Sequence, residues 1–488
     1  MMRALADIRA ALQRAGLLTG ESGALPDSVE AITDDSRSVR PGALFVAVRG
    51  AERDGHAFLA VAADRGATAA IVDDASRTAL PALVVSDTRR AAAVAAAAFH
   101  GEPATRLRLI GVTGTNGKTT TVGMLRHLLD GPSARAASIG TLGVLVGGAG
   151  EALDGGGGLT TPGPVELQRV LLTLHDQGVR TIAMETSSHA LHQRRVEGLA
   201  FTAGVFTNLT RDHLDYHGTM EEYFAAKAML VGQLEREGVA VVNADDRAWD
   251  SLPPASRTVR FGLGARADVR ARNVRSTPDG SRFDLVLGRD TRDVVLPVIG
   301  DFNVANALAA AATAWALGVE ADTIAARIAT MPQVPGRLEI VHERPTVLRD
   351  YAHTPDSLER AIAAVRPFTT GRLIVVFGCG GDRDRGKRPE MGRIAARGAD
   401  IAIVTSDNPR TEDPERILDD IEAGMRDVPH ERIEDRRDAI ARAIDLATGD
   451  DVVLLAGKGH ETYQVRGTTR LAFDERQVVR EIVTERVS

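Results

Sequence analysis

A glycine-rich segment at residues 111–120 contains the residue types that bind phosphate. It reads Gly-Val-Thr-Gly-Thr-Asn-Gly-Lys-Thr-Thr, which ends like a Walker A loop but has Val112 where that pattern has its first glycine. In the usual loop, backbone N–H groups surround the phosphates, a lysine reaches the outer phosphates and a hydroxyl reaches magnesium. Gly111, Gly114 and Gly117 instead recur at steps of three. The segment therefore predicts a phosphate-binding loop with an altered turn.

The flanking residues predict a strand before this loop and a helix after it. Residues 107–112 form an apolar run, and residues 119–129 have a helical pattern. A helix N-terminus attracts phosphate through its unpaired N–H groups and its dipole. Lys118 and Thr119 then have the positions of a phosphate-binding lysine and a magnesium-binding hydroxyl. A generic glycine-rich turn is the alternative, and these flanks argue against it.

Two further polar loops follow apolar runs that predict neighbouring strands. Residues 181–184 lead into Glu185-Thr-Ser-Ser-His189, and residues 203–206 lead into a segment rich in Asp and His that ends at Asp215. The carboxyl ends of parallel strands meet at one edge of a sheet, where ligands gather. We therefore expect both loops beside the phosphate loop.

These loops contain candidate metal ligands. Glu185 could hold magnesium together with the hydroxyl of Thr119, and His213 could supply a further ligand. A solvated glutamate at a strand end is the alternative for Glu185. Helix capping is the alternative for Asp212 and Asp215.

Lys227 lies in an apolar helical stretch, Tyr223–Leu230. A lysine in such a stretch usually extends its amine to the surface. Burial would instead lower its pKa, and the neutral amine could take up carbon dioxide as a carbamate, N6-carboxylysine. The carbamate would act as a carboxylate-like metal ligand. The residues alone leave both alternatives open.

The last third of the chain repeats the pattern of apolar run and polar loop. Arg383 lies in a charged, glycine-punctuated loop after one such run, where anion binding is favoured over a solvated surface. Another run leads into Asp407-Asn-Pro-Arg410, which could hold the ammonium and the carboxylate of an amino acid, with Arg410 binding the carboxylate bidentately. By itself this tetrapeptide indicates only a turn. A third run leads into Gly457-Lys-Gly-His-Glu461.

The alternation of β-like runs with alanine-rich helical stretches predicts an α/β protein with mostly parallel sheets. A length of 488 residues suggests about three domains. We place them at 1–105, 106–335 and 336–488: a smaller N-terminal α/β domain, a central P-loop-type domain and a C-terminal Rossmann-like domain.

Composition excludes several classes of protein. The net charge is -7 and the Lys and Arg residues are scattered, so the sequence shows no basic patch that would bind nucleic acid. The single cysteine, Cys379, precludes an internal disulfide and fits a reducing compartment. The N-terminus lacks the apolar core of a signal peptide, and no apolar run is long enough to span a bilayer. We expect a cytoplasmic, monomeric protein without membrane insertion.

Taken together, the motifs resemble those of the Mur ligase family over nearly the whole chain. The segments that carry the resemblance are Gly114–Thr120, Met184–Ala190, Asn208–Gly218, Tyr223–Lys227, Gly300–Ala307, Pro335–Glu339 and Asp350–Asp356. The resemblance implies an ATP- and magnesium-dependent amide ligase of peptidoglycan precursor synthesis. Its implied substrates are UDP-MurNAc-L-Ala-D-Glu and meso-diaminopimelate, and it favours carbamylation of Lys227.

The resemblance also implies a role for each matching residue. Catalysis and metal binding would involve Lys118, Thr119, Glu185, His213 and Lys227. Positions that match ATP contacts are Gly114, Thr115, Asn116, Gly117, Lys118, Thr119, Thr120, Asn303, Asn306, Arg337 and Asp350. Positions that match contacts to the uridine nucleotide and its muramoyl-dipeptide are Ser36, Ala51, Glu52, Arg53, Thr160, Thr161, Ser187, Gln193 and Arg195. Positions that match diaminopimelate contacts are Arg383, Asp407, Asn408, Pro409, Arg410, Gly457 and Glu461.

Three other functions compete with this one. A lysine-adding member of the family would lack Arg410, because lysine has no second carboxylate. A folylpolyglutamate synthase need not bind a uridine nucleotide. A P-loop nucleotide switch would bind a partner protein, but the chain has no guanine-reading Asn-Lys-x-Asp segment.

Overall fold

The computed structural model describes residues 2–50, 53–132, 134–156, 158–277, 280–426 and 428–487. They form two compact units, the first made of Met1–Arg270 and Leu308–Glu320, the second of Ala271–Ala307 and Ala321–Ser488. No helix in the described ranges is both long and apolar enough to cross a bilayer.

The first unit contains a two-stranded sheet of β1 and β3, two larger sheets, and the helices that cover them. Its strands are β1 (Arg3–Ala4), β2 (Leu18–Ser22), β3 (Ser28–Val29), β4 (Ala31–Thr33), β5 (Ala43–Val46), β6 (Ala67–Val72), β7 (Ala82–Val85), β8 (Arg108–Thr113), β9 (Arg135–Gly140), β10 (Gly143–Val146), β11 (Glu151–Leu153), β12 (Val179–Glu185), β13 (Phe201–Phe206), β14 (Leu234–Asn243) and β15 (Arg257–Gly262). Its helices are α1 (Leu5–Arg14), α2 (Leu59–Asp64), α3 (Thr88–His100), α4 (Lys118–Leu129), α5 (Pro164–Asp176), α6 (Ser188–His192), α7 (Leu214–His217) and α8 (Met220–Ala228).

Two elements, β16 (Val269–Thr277) and α9 (Asp301–Ala316), contribute residues to both units. The remaining strands are β17 (Gly280–Leu287), β18 (Asp290–Leu296), β19 (Glu339–Glu343), β20 (Thr346–Asp350), β21 (Leu373–Phe377), β22 (Ile401–Val404), β23 (Glu431–Arg432), β24 (Val452–Ala456), β25 (Tyr463–Arg466) and β26 (Thr469–Ala472). The remaining helices are α10 (Ala321–Ile328), α11 (Pro355–Val365), α12 (Lys387–Gly398), α13 (Pro414–Glu422), α14 (Arg436–Leu446) and α15 (Glu475–Val487).

The N-terminal sheet of the first unit has the order β2-β7-β6-β5-β4. Strands β4 to β7 run parallel, and β2 pairs antiparallel with β7. Helix α3 is capped by the Asp87 side chain, which accepts hydrogen bonds from the N–H groups of Arg89 and Arg90. The alanines of α3 pack against this sheet in one buried core.

The larger sheet of the first unit has the order β11-β10-β9-β12-β8-β13-β14-β15 and continues into β16. Strands β9, β12, β8, β13, β14 and β15 run parallel, whereas β10 is antiparallel to both β9 and β11. Strand β8 lies between β12 and β13. The loops that follow these three strands therefore begin at the same edge of the sheet, as predicted from the sequence.

The six-stranded sheet of the second unit has the order β19-β20-β24-β21-β22-β23 and is parallel except for β19. Both faces of β21 are buried: Leu373, Val375 and Phe377 pack in one core, whereas Ile374 and Val376 pack in the other. A strand that is covered on both faces is apolar throughout, and such an apolar run can be recognised in the sequence. Its neighbours β24 and β22, and β20 on the far side of β24, also end at the edge where the polar loops begin.

The predicted fold class, α/β with mostly parallel sheets, is confirmed. The predicted strand at 107–112 and helix at 119–129 correspond to β8 and α4, each with a shift of one residue. The domain boundaries near residues 105 and 335 stay predictions, because the compact units do not separate the first two blocks.

Candidate active site

The phosphate loop joins β8 to α4, and its three glycines have different roles. Gly117 is the N-cap of α4 with φ 83°, and Gly114 has φ 146°, so both adopt backbone conformations that favour glycine. A Cβ on Gly114 would also overlap the Thr207 hydroxyl. Gly111 lies inside β8, where a Cβ would come within 2.9 Å of Leu230. The expectation that all three glycines shape the phosphate turn is therefore wrong for Gly111, which permits close packing of the strand.

Two lysine amines converge on one carbonyl of this loop. Lys227 Nζ donates to the Gly114 carbonyl at 2.7 Å. Lys118 Nζ donates to the same carbonyl at 3.0 Å and to the Thr115 carbonyl at 2.8 Å. Lys227 is 1% exposed and its amine lies 4.3 Å from the centre of the Tyr223 ring. The alternative in which Lys227 extends to the surface is therefore wrong.

This environment favours the neutral form of the Lys227 amine. Burial, and then the positive charge of Lys118, lower its pKa well below the usual 10.5. Tyr223 closes the site with its hydroxyl 3.2 Å from Thr115 Oγ1. Sequence reasoning missed this tyrosine as a site residue, although it occurs four residues before Lys227 and thus on the same helical face.

Glu185 ends β12 and is 1% exposed. Its carboxylate accepts hydrogen bonds from the Thr141 backbone N–H at 2.8 Å and from the Thr141 hydroxyl at 3.3 Å. A Cβ on Gly140 would overlap Glu185 Oε1. The alternative of a solvated strand-end glutamate is thus wrong. Thr141 and Gly140 were missed because they reach Glu185 from another strand, β9, which adjoins β12.

His213 lies in the loop after β13 with φ 53° and immediately precedes α7. Its ring packs edge-on against His189 at 4.8 Å between centroids, and the His189 ring is 4.2 Å from Tyr216. Asp212 accepts from the His213 N–H at 2.9 Å rather than capping α7. Burial, followed by the charge of His213, lowers the pKa of His189 to about 4. The His189 imidazole at this part of the sheet edge is therefore neutral near pH 7.

Within the described ranges, no group of three or more His, Cys, Asp or Glu side chains is arranged to hold a metal ion. The predicted set contains only two such residues, Glu185 and His213, with Thr119 and a modified Lys227 as the others. The metal set therefore stays a prediction that depends on the modification of Lys227.

Four residues predicted to contact the muramoyl-dipeptide form one hydrogen-bonded network. The Thr161 hydroxyl donates to Ser187 Oγ at 3.2 Å, and Arg195 Nη1 donates to the Thr161 carbonyl at 3.0 Å. Arg195 also holds Gln193 Oε1 at 2.7 Å, and Gln193 Nε2 donates to the Tyr216 hydroxyl at 3.1 Å. The structure thus brings these residues together beside Glu185, whose carbonyl accepts the Thr161 hydroxyl. Thr160 lies next to them, with its hydroxyl 3.4 Å from that of Thr141.

Two of the predicted uridine-nucleotide residues, Ser36 and Arg53, follow strands β4 and β5 of the N-terminal sheet. Ser36 begins a short 3-10 turn after β4. The Arg53 carbonyl accepts the Gly50 N–H at 2.9 Å. Ala51 and Glu52 lie outside the described residues. His56, which the sequence analysis did not identify, is buried with Nδ1 2.7 Å from Asp54 and Nε2 2.9 Å from Asp73, so it links the segment after Arg53 to the end of β6.

The predicted ATP residues of the second unit fall into two groups. Asn303 and Asn306 are buried on α9, where Asn306 Nδ2 donates to Asn303 Oδ1 at 3.0 Å. Asp350 ends β20 and accepts the Leu338 N–H at 2.7 Å. Burial raises the pKa of Asp350 to about 6, and the charge of Arg337 opposes that shift. Arg337 lies over the Tyr351 ring at 4.8 Å.

The predicted amino-acid site combines the loops after β21, β22 and β24. Arg410 has φ 53°, and its Nη1 donates to the Gly381 carbonyl at 2.7 Å. Asn408 Nδ2 donates to Glu461 Oε2 at 2.9 Å. A Cβ on Gly457, which has φ 120°, would lie 2.7 Å from Asp407 Oδ2, so glycine permits close approach of these loops.

This site contains two further residues that the sequence predicted and one that the sequence analysis did not identify. Arg383 is exposed at its rim and donates to the Asp382 carbonyl at 2.9 Å. Pro409 follows Asn408 in the turn. Lys458, which the sequence did not single out, is fully buried with its amine 3.0 Å from Glu461 Oε2. The GKGHE segment signalled a loop, but nothing in it indicated which way the lysine points.

Comparison with known proteins identifies the family. Three family models match in order: "Mur ligase family, catalytic domain" at residues 28–111, "Mur ligase middle domain" at 112–314 and "Mur ligase, glutamate ligase domain" at 336–459. The chain belongs to the Mur ligase family.

Individual relatives agree with this assignment. The UDP-N-acetylmuramoyl-L-alanyl-D-glutamate–2,6-diaminopimelate ligase of Geobacillus thermodenitrificans is 46% identical, covering 95% of this chain and 96% of the relative. A solved structure of a ligase with the same name is 32% identical, covers all of both chains and has a TM-score of 0.69. The folylpolyglutamate synthase of Mycobacterium tuberculosis, solved with ADP and AMPPCP, is 20% identical, covers 76% of this chain and 92% of its own, and shares the fold with a TM-score of 0.64.

Proposed function

We propose that this ligase adds meso-diaminopimelate to UDP-MurNAc-L-Ala-D-Glu in an ATP-dependent reaction, as a cytoplasmic monomer in peptidoglycan precursor synthesis. The observation that carries this proposal is that one loop holds Asp407, Asn408 and Arg410 while Asn408 bonds to Glu461 of the loop after β24, since an amino acid with a second carboxylate needs both a guanidinium and carboxylates. The names of the full-length relatives support the same substrates.

ATP would use the phosphate loop. Lys118 now donates to two loop carbonyls, Gly114 and Thr115, and would turn from them to the phosphates. Magnesium prefers oxygen ligands. The Thr119 hydroxyl lies in the first turn of α4, and the Glu185 carboxylate ends β12, which pairs with β8, the strand before the phosphate loop. Both are oxygen donors, so they fit this ion, which would supply charge neutralisation at the phosphates.

In the proposed reaction the γ-carboxylate of the D-glutamyl residue attacks the γ-phosphorus of ATP, and ADP leaves. The resulting acyl phosphate is attacked by an amine of diaminopimelate. The tetrahedral intermediate loses phosphate as the amide forms, and the amine gives up its proton. Lys118 would offset the charge on the transferred phosphoryl group, and the Thr161–Arg195 network would orient the dipeptide.

Lys227 is proposed to act as its carbamate. Its buried amine has the lowered pKa that leaves it unprotonated and nucleophilic toward carbon dioxide. The product would be an anion beside Lys118, which offsets the cost of burying it.

The acceptor can be tested by phosphate release in the presence of ATP, magnesium and UDP-MurNAc-L-Ala-D-Glu, with meso-diaminopimelate or L-lysine supplied as the amino acid. We expect turnover that requires all substrates and strongly favours meso-diaminopimelate. Arg410→Met should reduce that preference by about tenfold or more, the value of a lost charge-assisted bidentate pair. Equal turnover of both amino acids by the unmodified protein would contradict the role given to Arg410.

The carbamate has its own test. Lys227→Ala should lose activity, and added short carboxylic acids should restore part of it by replacing the missing carboxylate. Mass spectrometry of native protein with ¹³C-bicarbonate should detect the labelled adduct on the wild type alone. Full activity of the alanine variant would exclude the carbamate.

A further inference from the structure

The chain uses lysine sparingly. Lys and Arg total 59, yet lysine occurs only at positions 118, 227, 387 and 458. Two of these, Lys118 and Lys227, share a carbonyl of the phosphate loop. Arginine serves almost everywhere else, including most surface ion pairs. A lysine at a buried position therefore signals a place where a compact ammonium is required and a planar guanidinium does not fit.

Lys458 occupies such a position behind the proposed amino-acid site. Its side chain is 0% exposed. The ammonium lies 3.0 Å from Glu461 Oε2, 3.2 Å from Asn408 Oδ1 and 3.8 Å from Asp407 Oδ1. The Tyr463 ring lies on another side, 5.7 Å away. One ammonium thus faces three residues that were predicted to contact diaminopimelate.

Lys458 also fixes the orientation of the Asn408 amide. Asn408 Oδ1 accepts from the Lys458 ammonium and from the Val465 N–H at 2.8 Å. Its Nδ2 consequently points to Glu461 Oε2 at 2.9 Å. Because both acceptor and donor of the amide are engaged in this way, rotation of the amide by 180° would break all three hydrogen bonds.

Charge balance gives this arrangement a consequence for substrate selection. Asp407 and Glu461 together carry two negative charges, and Lys458 offsets one. The remaining negative charge matches a single substrate ammonium. Without Lys458, no ammonium would lie between the Asp407 and Glu461 carboxylates to offset their mutual repulsion.

We propose that Lys458 is a positioning residue for amino-acid specificity: it sets the orientation of Asn408 and the charge of the Asp407–Glu461 pair so that the site accepts one ammonium group. The proposal rests on the proposed function, since it concerns the same amino-acid site. Lys458 itself acts through these three residues and needs no contact with the substrate.

Steady-state kinetics of Lys458→Met tests the proposal, because methionine keeps the length of the side chain and removes the charge. We expect the KM for meso-diaminopimelate to rise by about tenfold or more, the loss of one buried charged hydrogen bond. The KM values for ATP and for UDP-MurNAc-L-Ala-D-Glu should stay within about twofold, since neither substrate is recognised through this cluster. Lys387→Met is the matched control, because the Lys387 amine contacts the His353 carbonyl instead.

A double-mutant cycle separates positioning from general destabilisation. Glu461→Gln removes one of the two negative charges, so Lys458→Met combined with Glu461→Gln should raise the KM for meso-diaminopimelate much less than the product of the two single effects. The proposal is wrong if the two single effects on the KM for meso-diaminopimelate multiply in the double variant, or if Lys458→Met raises all three KM values equally. Absence of meso-diaminopimelate turnover in the wild type would instead refute the proposed function, so the two failures are distinguishable.

Discussion

The ion pair between Arg436 and Glu475 stabilises the start of the loop after β24, which belongs to the proposed amino-acid site. Both side chains are fully buried, with Arg436 Nη2 2.7 Å and Nε 2.8 Å from Glu475 Oε1. Arg436 Nη2 also donates to the Ala456 carbonyl at 2.9 Å. Ala456 is the last residue of β24 and immediately precedes Gly457. We predict that Arg436→Met destabilises the second unit and disorders the loop that begins there.

The expected loss in the free energy of unfolding follows from the burial of both side chains. Removing one partner of a buried pair leaves an uncompensated charge and costs about 3–5 kcal/mol. Replacing both partners, as in Arg436→Met with Glu475→Leu, removes that charge and should recover most of the loss. The exposed pair Arg360–Asp356, 3.0 Å apart on α11, is the control, and Arg360→Met should cost at most about 1 kcal/mol.

Hydrogen exchange can measure the effect locally. Amides of residues 452–461 should exchange faster in Arg436→Met, because exchange reports the opening free energy of each segment. Amides of β8, in the first unit, should exchange as in the wild type and serve as the internal reference. If Arg436→Met lowers the free energy of unfolding by less than about 1 kcal/mol, or if the double variant is less stable than either single variant, this reasoning is refuted.

Three further predictions test other parts of the site. Gly140→Ala should displace the Glu185 carboxylate, which its Cβ would overlap, and lower kcat by about tenfold or more, whereas Gly131→Ala, with nothing within 4 Å of its Cβ, should leave kcat unchanged. Gly457→Ala should raise the KM for the amino acid, measured against an unchanged KM for ATP, because φ 120° and the contact to Asp407 both exclude a side chain. Asp350 has its pKa raised from 3.8 to about 6 by burial, so the folded state holds the proton more tightly, and ionisation between those pH values removes up to about 3 kcal/mol of stability. The stability of Asp350→Asn relative to the wild type, followed by urea unfolding, should therefore increase as pH rises from about 4 to 7 and should not fall.

The sequence predicted best where local pattern decides structure. The apolar runs at 181–184 and 203–206 lie within β12 and β13, because strands buried on both faces are apolar throughout and have a strong local signal. The order of loops along the sheet edge followed from parallel strand packing. The residues proposed from motifs likewise lie at the strand ends expected for them.

The sequence could not predict contacts between elements that are far apart along the chain. Thr141 supports Glu185 from β9, and Arg436 reaches β24 from α14, although no local pattern marks either residue. Lys227 could not be assigned from its apolar stretch because a core helix and a half-exposed helix share that composition. Gly111 was misread since equal spacing does not distinguish a turn glycine from a strand glycine.

The parallel arrangement of β20, β24, β21 and β22 has a consequence for folding. Parallel neighbours need long connections, and the amino-acid loops are joined by contacts such as Asn408–Glu461, 53 residues apart in the chain. Closing such loops costs entropy before any contact offsets it, which slows folding. Amino-acid recognition should therefore emerge late in biogenesis, only after α15 delivers Glu475 to Arg436, so a nascent chain still lacking its last helix would have a complete phosphate loop but no selective acceptor site.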